Sequence, residues 1–486
     1  MPFFRQVSLI IFFVFFCGSL CFAQSVKESK LLKKYSPAQL KEDGEVIKKV
    51  MLAMHPVIGI YRSRTYYLAL FDDFINNLND SLTEKEFRIK MKLLVDELHC
   101  GHTEALQSKA YYKESIKQNY NYSPYFFIPI KEKLFVLASF NKKKDTLLKK
   151  GTEIIEINGI AVDSMIRHCK RFISTDGFNQ TGKQHYVQLG FNSFYHSLFG
   201  RPDTFTVKYL ANNTVKSFKY AAFKTKTIPN IPLGLKADSL FTRYRLAKMN
   251  YKYLDAEKKT MHLKIDGFSR RRSNKAYRKI FKRLNKNKTE NLIIDLRNNG
   301  GGSLENSYNL LSYLLDTAKT QTLRTNIRSY PYKKYTNGAI FFKLMRFGFA
   351  LISKKKTIND TDNFIYKIKP RKRNHFDKKI YVLINGGSFS ASCLVAAYLK
   401  YNKRAIFIGE ETSGAMEGCN AGITPYYTLP NTNTKIRMPA FRIVHDVCPK
   451  ITGRGIIPDY PIEYTMKDIL NKKDLEILKA KELINK

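Results

Sequence analysis

The stretch "KKIYVLINGGSFSASCLVAAYLKY" (378–401) joins an apolar strand-like run to an apolar helix-like run through a turn of glycine and serine. Hydroxyls and glycines between two buried elements add nothing to a core. At such a junction a serine hydroxyl is held out at a tight turn, and the unpaired backbone N–H groups of the helix's first turn aim at the same spot. Donors so placed are what the oxyanion of an acyl transfer needs. They suit a phosphate equally well, but neither "NGGSFS" nor the related "NNGGGS" (298–303) holds the Gly-Lys-Ser/Thr of a P-loop or the G-x-G-x-x-G of a dinucleotide fold. Nucleotide binding is therefore set aside.

The same pattern occurs upstream. "NLIID" (291–295) runs through "LRNNGGGS" into "LENSYNLLSYLLD" (304–316), and a third strand, "RAIFIG" (404–409), leads into the polar loop "EETSGAMEGCNAG" (410–422). Strand, glycine-rich turn and helix, used twice, predict an α/β domain over 226–475 whose working edge lies where strands end and helices begin. A basic, aromatic insertion, 317–377, interrupts it. Its apolar piece "AIFFKLMRFGFALISKKK" (339–356) reads as a helical flap packed on the domain, with an interfacial membrane helix as the alternative. A helix end is expected at 476–486.

Residues 24–115 read as helical. In "SLTEKEFRIKMKLLVDELHCGHTEAL" (81–106) Ser81 and Glu84 form a capping box, Phe87, Met91, Leu94 and Leu98 recur at helical spacing, and Gly101 ends the helix. His102 then falls in a polar turn just past a helix C-terminus, and His99 is placed on the surface. From 116 to 225 the pattern changes to short strands, among them "KLFVLASF" (133–140) and "KGTEIIEINGIAV" (150–162), the latter with an Asn-Gly turn. The expected class is α+β and multidomain.

At the start, Arg5 precedes "SLIIFFVFFCGSLCFA" (8–23), which reads as a secretory signal peptide over 1–23 and implies a periplasmic or extracellular protein. Five cysteines follow, an odd number and too few for a disulfide scaffold; Cys419 with Cys448 is a candidate bridge. The net charge is +43, from 84 Lys and Arg against 41 Asp and Glu. These lysines are spread through the chain rather than gathered in a block, which together with export argues against nucleic acid. The charge favours acidic partners or anionic membrane surfaces instead. No cofactor or metal is required by the pattern, because "HCGH" (99–102) alone lacks the further partners of a zinc site.

Taken in order, "LHCGHT" (98–103), "GTEIIEING" (151–159), "NLIIDLRNNGGGS" (291–303), "VLINGGSFSAS" (382–392), "RAIFIGEETSG" (404–414) and "GRGIIPDYPI" (453–462) resemble the C-terminal processing (tail-specific) and tricorn-type serine peptidases. That resemblance implies a crotonase-like (ClpP/crotonase-type) catalytic domain and a serine endopeptidase acting on extended peptides or proteins. The segment at 150–162 also resembles the strand-turn of PDZ domains, which take a peptide as an added strand. Ser390 aligns with the family nucleophile, and the backbone N–H groups of Ala391 and of Gly300-Gly301 with its oxyanion hole. Ala415 stands where the tail-specific branch has a lysine base, whereas His102 matches the histidine base of the tricorn-like branch. Thr452 stands where that branch has a carboxylate, leaving Glu410, Glu411, Asp446 and Asp459 as candidates to orient His102. His445 is the rival base. Ser388 and Ser392 are expected to cap or pack, and Asp295 and Arg297 to pair and brace the first glycine turn. An imidazole base past a helix end is expected to ionise at about pH 6.5 or slightly above. The alternative is a catalytically inactive peptide-binding protein on the same fold.

Overall fold

The computed structural model describes residues 29–486 apart from 141–147, 227–241, 245–246, 270–272, 326–332, 337–339, 359–360, 449 and several positions between 341 and 353. The expected signal peptide lies outside the described residues.

Seven strands form the central sheet, in the spatial order Thr242–Tyr244, Met249–Tyr253, Thr260–Ile265, Asn291–Asp295, Lys379–Ile384, Ile406–Gly409 and Tyr460–Pro461. Neighbours are antiparallel up to Thr260–Ile265 and parallel from there on. A parallel strand covered on both faces reads as a near-continuous apolar run, and Asn291–Asp295, apolar over Leu292–Ile294, is buried throughout. Alternate side chains serve different layers, as the pleat requires. Leu292, Ile294, Val382 and Ile384 face a core shared with helices Ser273–Lys286, Leu304–Ser312 and Ala391–Tyr401. Ile293, Tyr381 and Leu383 meet Ala480 of helix Leu475–Ile484 on the other side. Strands Asn291–Asp295 and Lys379–Ile384 are paired with Asp295 opposite Leu383. Their two glycine turns therefore leave the sheet side by side.

The stretch 317–377 is not a simple insertion. Strand Lys319–Thr325 pairs with Thr361–Ile368 on one side and Phe441–Val444 on the other, and Lys354–Ile358 and Gly418–Ala421 complete a five-stranded antiparallel sheet. Leu323 and Phe364 join Phe441 and Ile443 in one core with the N-terminal helices. The polar alternation of these strands hid the sheet, because only one face is apolar. Most of the expected flap at 339–356 lies outside the described residues; within it Ile340, Leu344, Phe347 and Leu351 are helical and exposed. Among the described residues no helix is long and apolar enough to cross a membrane.

The N-terminal region holds helices Pro37–Met54, Arg64–Asn76 and Glu84–Asp96, and Phe87, Met91, Leu94 and Leu98 are all buried. Both ends of the third helix differ from expectation. Its capping box is Thr83 with Glu86, and it stops at Asp96, with His99 taking the left-handed conformation (φ 51°). His102 consequently sits in a loop, clear of the helix terminus. The expected β module contains two helices, Val162–Lys170 and Thr181–Leu198, packed on a sheet that includes Lys133–Ser139, Glu153–Ile157 and Thr204–Ala211. All five described cysteines are free thiols, so Cys419 and Cys448 are not bridged.

Candidate active site

Ser390 is the N-cap of helix Ala391–Tyr401 and has φ 57° and ψ −117°. A non-glycine residue in such a conformation costs on the order of 1–3 kcal/mol and persists where neighbours enforce it. The enforcement is visible. The Phe389 N–H donates to the Asn299 carbonyl (3.0 Å), Ser392 Oγ to the same carbonyl (2.7 Å), and Ser388 Oγ to the Leu296 carbonyl (2.8 Å). Ser388 and Ser392 thus tie the second glycine turn to the first, as packing residues, and leave Ser390 Oγ free to point outward.

His102 Nε2 lies 3.3 Å from Ser390 Oγ, and the imidazole stacks on Phe389 with ring centroids 4.6 Å apart. Gly101 permits this approach: a Cβ there would come within 2.7 Å of Phe389 Cζ. His102 Nδ1 is buried and has no hydrogen-bond partner among the described residues. Burial holds its pKa down to about 3, with the Arg437 charge adding to the effect. The upward push expected from a helix C-terminus is absent because the helix ends at Asp96.

A carboxylate that the sequence reading did not weigh stands beside this ring. Asp176 lies in the loop between the two module helices and is 1% exposed. Its Oδ1 accepts the Gly101 N–H (3.0 Å), while Oδ2 has no partner among the described residues. One His102 ring nitrogen, one Asp176 oxygen and the Cys419 sulfur lie within 4.8 Å of one another. Since Nε2 faces Ser390, Nδ1 is the nitrogen left for the carboxylate. Burial pushes Asp176 up to about 7; the nearby Glu417 adds to this, while the Gly101 N–H and the Arg442 charge oppose it. The loop is fastened just after Asp176, by Gly177 N–H to the His99 carbonyl (3.0 Å) and Phe178 N–H to the Gly453 carbonyl (2.8 Å).

The four expected orienting acids are occupied elsewhere. Glu411 pairs with Arg454 (2.7 Å), Asp459 with Lys400, Asp446 accepts from Thr322 Oγ1 (2.9 Å), and Glu410 accepts the Gly386 N–H (3.5 Å). The position of Thr452 is served by Glu417, whose carboxylate accepts the Gly453 N–H (3.0 Å) and approaches Thr452 Oγ1 (3.5 Å). His445 is fully buried, with Nδ1 against the Met416 carbonyl (2.8 Å). His99 is not a surface residue: it is half-buried, packed on Phe178 with centroids 4.7 Å apart. Asp295 and Arg297 do pair, through Nη2 to Oδ2 (2.8 Å), and Arg297 extends the brace to Asp474 (2.8 Å) and Glu476 (2.9 Å).

Of the expected oxyanion donors, the Gly301 N–H is taken, donating to Asn299 Oδ1 (2.9 Å). The N–H groups of Gly300 and Ala391 have no such partner among the described hydrogen bonds, and Gly300 is exposed. Gly301 instead provides clearance: it has φ +96°, and a Cβ there would come within 2.7 Å of Ser390 Cβ and 2.8 Å of the Ala391 nitrogen. Gly301→Ala is therefore expected to displace the Ser390 turn. Turnover at Ser390 should fall by about 10²-fold, as for a misplacement of about 1 Å, in protein that still melts cooperatively. Unchanged kcat would show that the two turns tolerate separation.

Residues 259–462 match the sequence profile of peptidase family S41. None of the curated proteins matches the chain in sequence. Among solved structures, mature CPAF complexed with lactacystin is similar with a TM-score of 0.64 at 16% identity, over 92% of this chain and 98% of that one. Mature CPAF gives a TM-score of 0.63 at 15% identity, over 91% and 96%. The photosystem II D1 C-terminal processing protease gives 0.41 at 14% identity, over 87% and 93%. The likeness to CPAF is one of fold and spans nearly the whole chain.

Proposed function

Through residues 259–462 the chain belongs to the serine peptidases of family S41, and from that premise we propose that it is an endopeptidase with Ser390 as nucleophile and His102 as base. The observation that carries this reading is the 3.3 Å approach of Ser390 Oγ to His102 Nε2 across 288 residues of sequence. Neutral His102, with its proton on Nδ1 directed at Asp176, presents the Nε2 lone pair to the serine hydroxyl. The proton passes to Nε2 as Oγ adds to the scissile carbonyl, and Asp176 offsets the imidazolium that forms. The N–H groups of Ala391 and Gly300 take the oxyanion. His102 then returns the proton to the leaving amine, and water repeats the sequence on the acyl-enzyme. Asp176 is here a positioning residue. A fluorophosphonate that reports on serine nucleophiles should label Ser390 in the purified protein. Failure to label folded protein would favour the inactive, peptide-binding alternative.

We place peptide delivery on the PDZ-like module. Among the described residues strand Thr214–Ala221 pairs only with Thr204–Ala211 and forms one edge of its sheet, with Lys216 and Lys219 exposed along it. An open edge accepts an extended chain as an added strand, and lysines favour acidic segments. Replacing Lys216 and Lys219 together by Glu should raise KM for an acidic protein substrate by about tenfold and leave a short peptide's kcat/KM unchanged. Equal effects on both substrates would remove the edge from delivery. The module cannot simply be deleted to test this, because its loop carries Asp176.

A further inference from the structure

We propose that His102, Asp176 and Cys419 form a binding site for a zinc-class divalent cation, and that its occupancy switches the peptidase off. The binding half stands on the cluster alone, and the inhibitory half rests on the reading of His102 as the base. Three distant parts of the chain deliver the donors: the loop after helix Glu84–Asp96, the loop between the two module helices, and strand Gly418–Ala421. Imidazole nitrogen, carboxylate oxygen and thiol sulfur form the mixed donor set that Zn²⁺ takes, whereas Mg²⁺ and Ca²⁺ demand oxygen.

The polar members are idle in the way a ligand site requires. His102 Nδ1 and Asp176 Oδ2 are both buried without hydrogen-bond partners among the described residues. Asp176 is 1% and Cys419 5% exposed. One His102 ring nitrogen, one Asp176 carboxylate oxygen and the Cys419 sulfur lie within 4.8 Å of one another. A cation centred in a triangle of that largest size sits about 2.8 Å from each corner, so each donor closes by roughly 0.5–0.8 Å to reach metal–ligand distances of about 2.0–2.3 Å. A water completes the tetrahedron. Cys419 sheds its thiol proton and Asp176 any carboxyl proton to solvent, so thiolate and carboxylate together balance the two charges of the cation. No redox change is involved.

Inhibition follows from the tautomer. In the working state the ring's single proton is on Nδ1 and the Nε2 lone pair faces Ser390 Oγ. A metal on Nδ1 takes that nitrogen's lone pair and moves the ring proton to Nε2. The nitrogen facing the serine is then a donor and cannot accept the hydroxyl proton. A proton and a metal thus compete for one nitrogen with opposite consequences for catalysis.

The test uses the full mature protein with Co²⁺ as spectroscopic probe and Zn²⁺ as inhibitor, each at chelator-buffered concentration. Co²⁺ should give a thiolate-to-cobalt charge-transfer band in the near ultraviolet that Zn²⁺ abolishes. Cys419→Ser should lose that band and need about tenfold or more Zn²⁺ for half-inhibition, with metal-free activity unchanged; Cys419→Ala carries the same expectation. Ser390→Ala should keep the band, since the site does not depend on turnover. Absence of the band from wild-type protein overturns the site. A band with undiminished activity at saturating Zn²⁺ overturns the switch, as does unchanged Zn²⁺ sensitivity in both Cys419 variants. A band in protein that proves inactive without metal would support the site and sink the peptidase reading, so the two failures are distinguishable.

Discussion

Ser390→Ala is expected to lower kcat for a peptide substrate by about 10³-fold or more while moving Tm little. The hydroxyl makes its hydrogen bond to His102 Nε2 at a long 3.3 Å, so its loss removes little from the folded state. Neither neighbouring serine is free to take over, because Ser388 and Ser392 donate to the Leu296 and Asn299 carbonyls. Ser388→Ala should behave in the opposite sense. Its hydroxyl is fully buried and also accepts the Asn385 N–H (3.2 Å), so stability should fall by about 1–3 kcal/mol while activity per folded molecule persists. Ser390→Gly adds a control: with φ 57° relieved, it should be at least as stable as the alanine variant and equally inactive. Activity lost in Ser388→Ala and kept in Ser390→Ala, measured alongside thermal melts, would overturn the assignment of the nucleophile.

The central sheet was legible because its strands are continuous apolar runs ending in glycine turns, a pattern that few alternatives satisfy. Where local patterns offered two equal frames, tertiary contacts decided. Ser81 with Glu84 and Thr83 with Glu86 both spell a capping box, but Leu82 and Thr83 pair with Tyr35 and Lys34. Extended backbone there delays the helix to Glu84. Gly101 looked like a helix stop and is instead the residue that lets the His102 loop touch Phe389. The module's long helix was obscured by its tyrosines, phenylalanines and Gly190, whose φ −123° and ψ 15° kink it. Such residues read as strand formers until packing against a sheet outweighs their propensity.

The proposed catalytic pair stands out in the sequence for a different reason: Ser390 and His102 each lie in a short segment of distinctive composition. Asp176 has no such signature. "STDGFN" (174–179) reads as an Asp-Gly turn, and only its fastening to His99 and Gly453 carries it to the imidazole. Glu417 likewise approaches Thr452 from 35 residues away. In the sequence Cys419 suggests only half of a disulfide. A non-local site of this kind is specified by topology, which no single stretch of sequence contains.

The pH profile is where Asp176 separates from a merely structural aspartate. Burial keeps His102 neutral down to about 3, so the base itself does not limit activity near neutrality. Asp176, pushed up to about 7, is expected to do so. Above that value the carboxylate accepts the Nδ1 proton and leaves Nε2 free. Below it the protonated acid can offer its own proton to Nδ1, which drives the ring proton onto Nε2 and disables the base. Activity should therefore rise with pH through about 7 and then level, later than the roughly 6.5 of a free imidazole. Burial sets this midpoint first, the Gly101 N–H and the Arg442 charge lower it, and Glu417 raises it. Asp176→Asn should lower kcat by about 10²–10⁴-fold and abolish the ionisation near 7, leaving a low, flat profile into the acid range. His102→Ala should cost as much as Ser390→Ala, and the double variant little more, because the two groups act as a unit. A rise through 7 that survives in Asp176→Asn would assign the ionisation elsewhere. His445 does not fit that role easily, since burial holds it down to about 4.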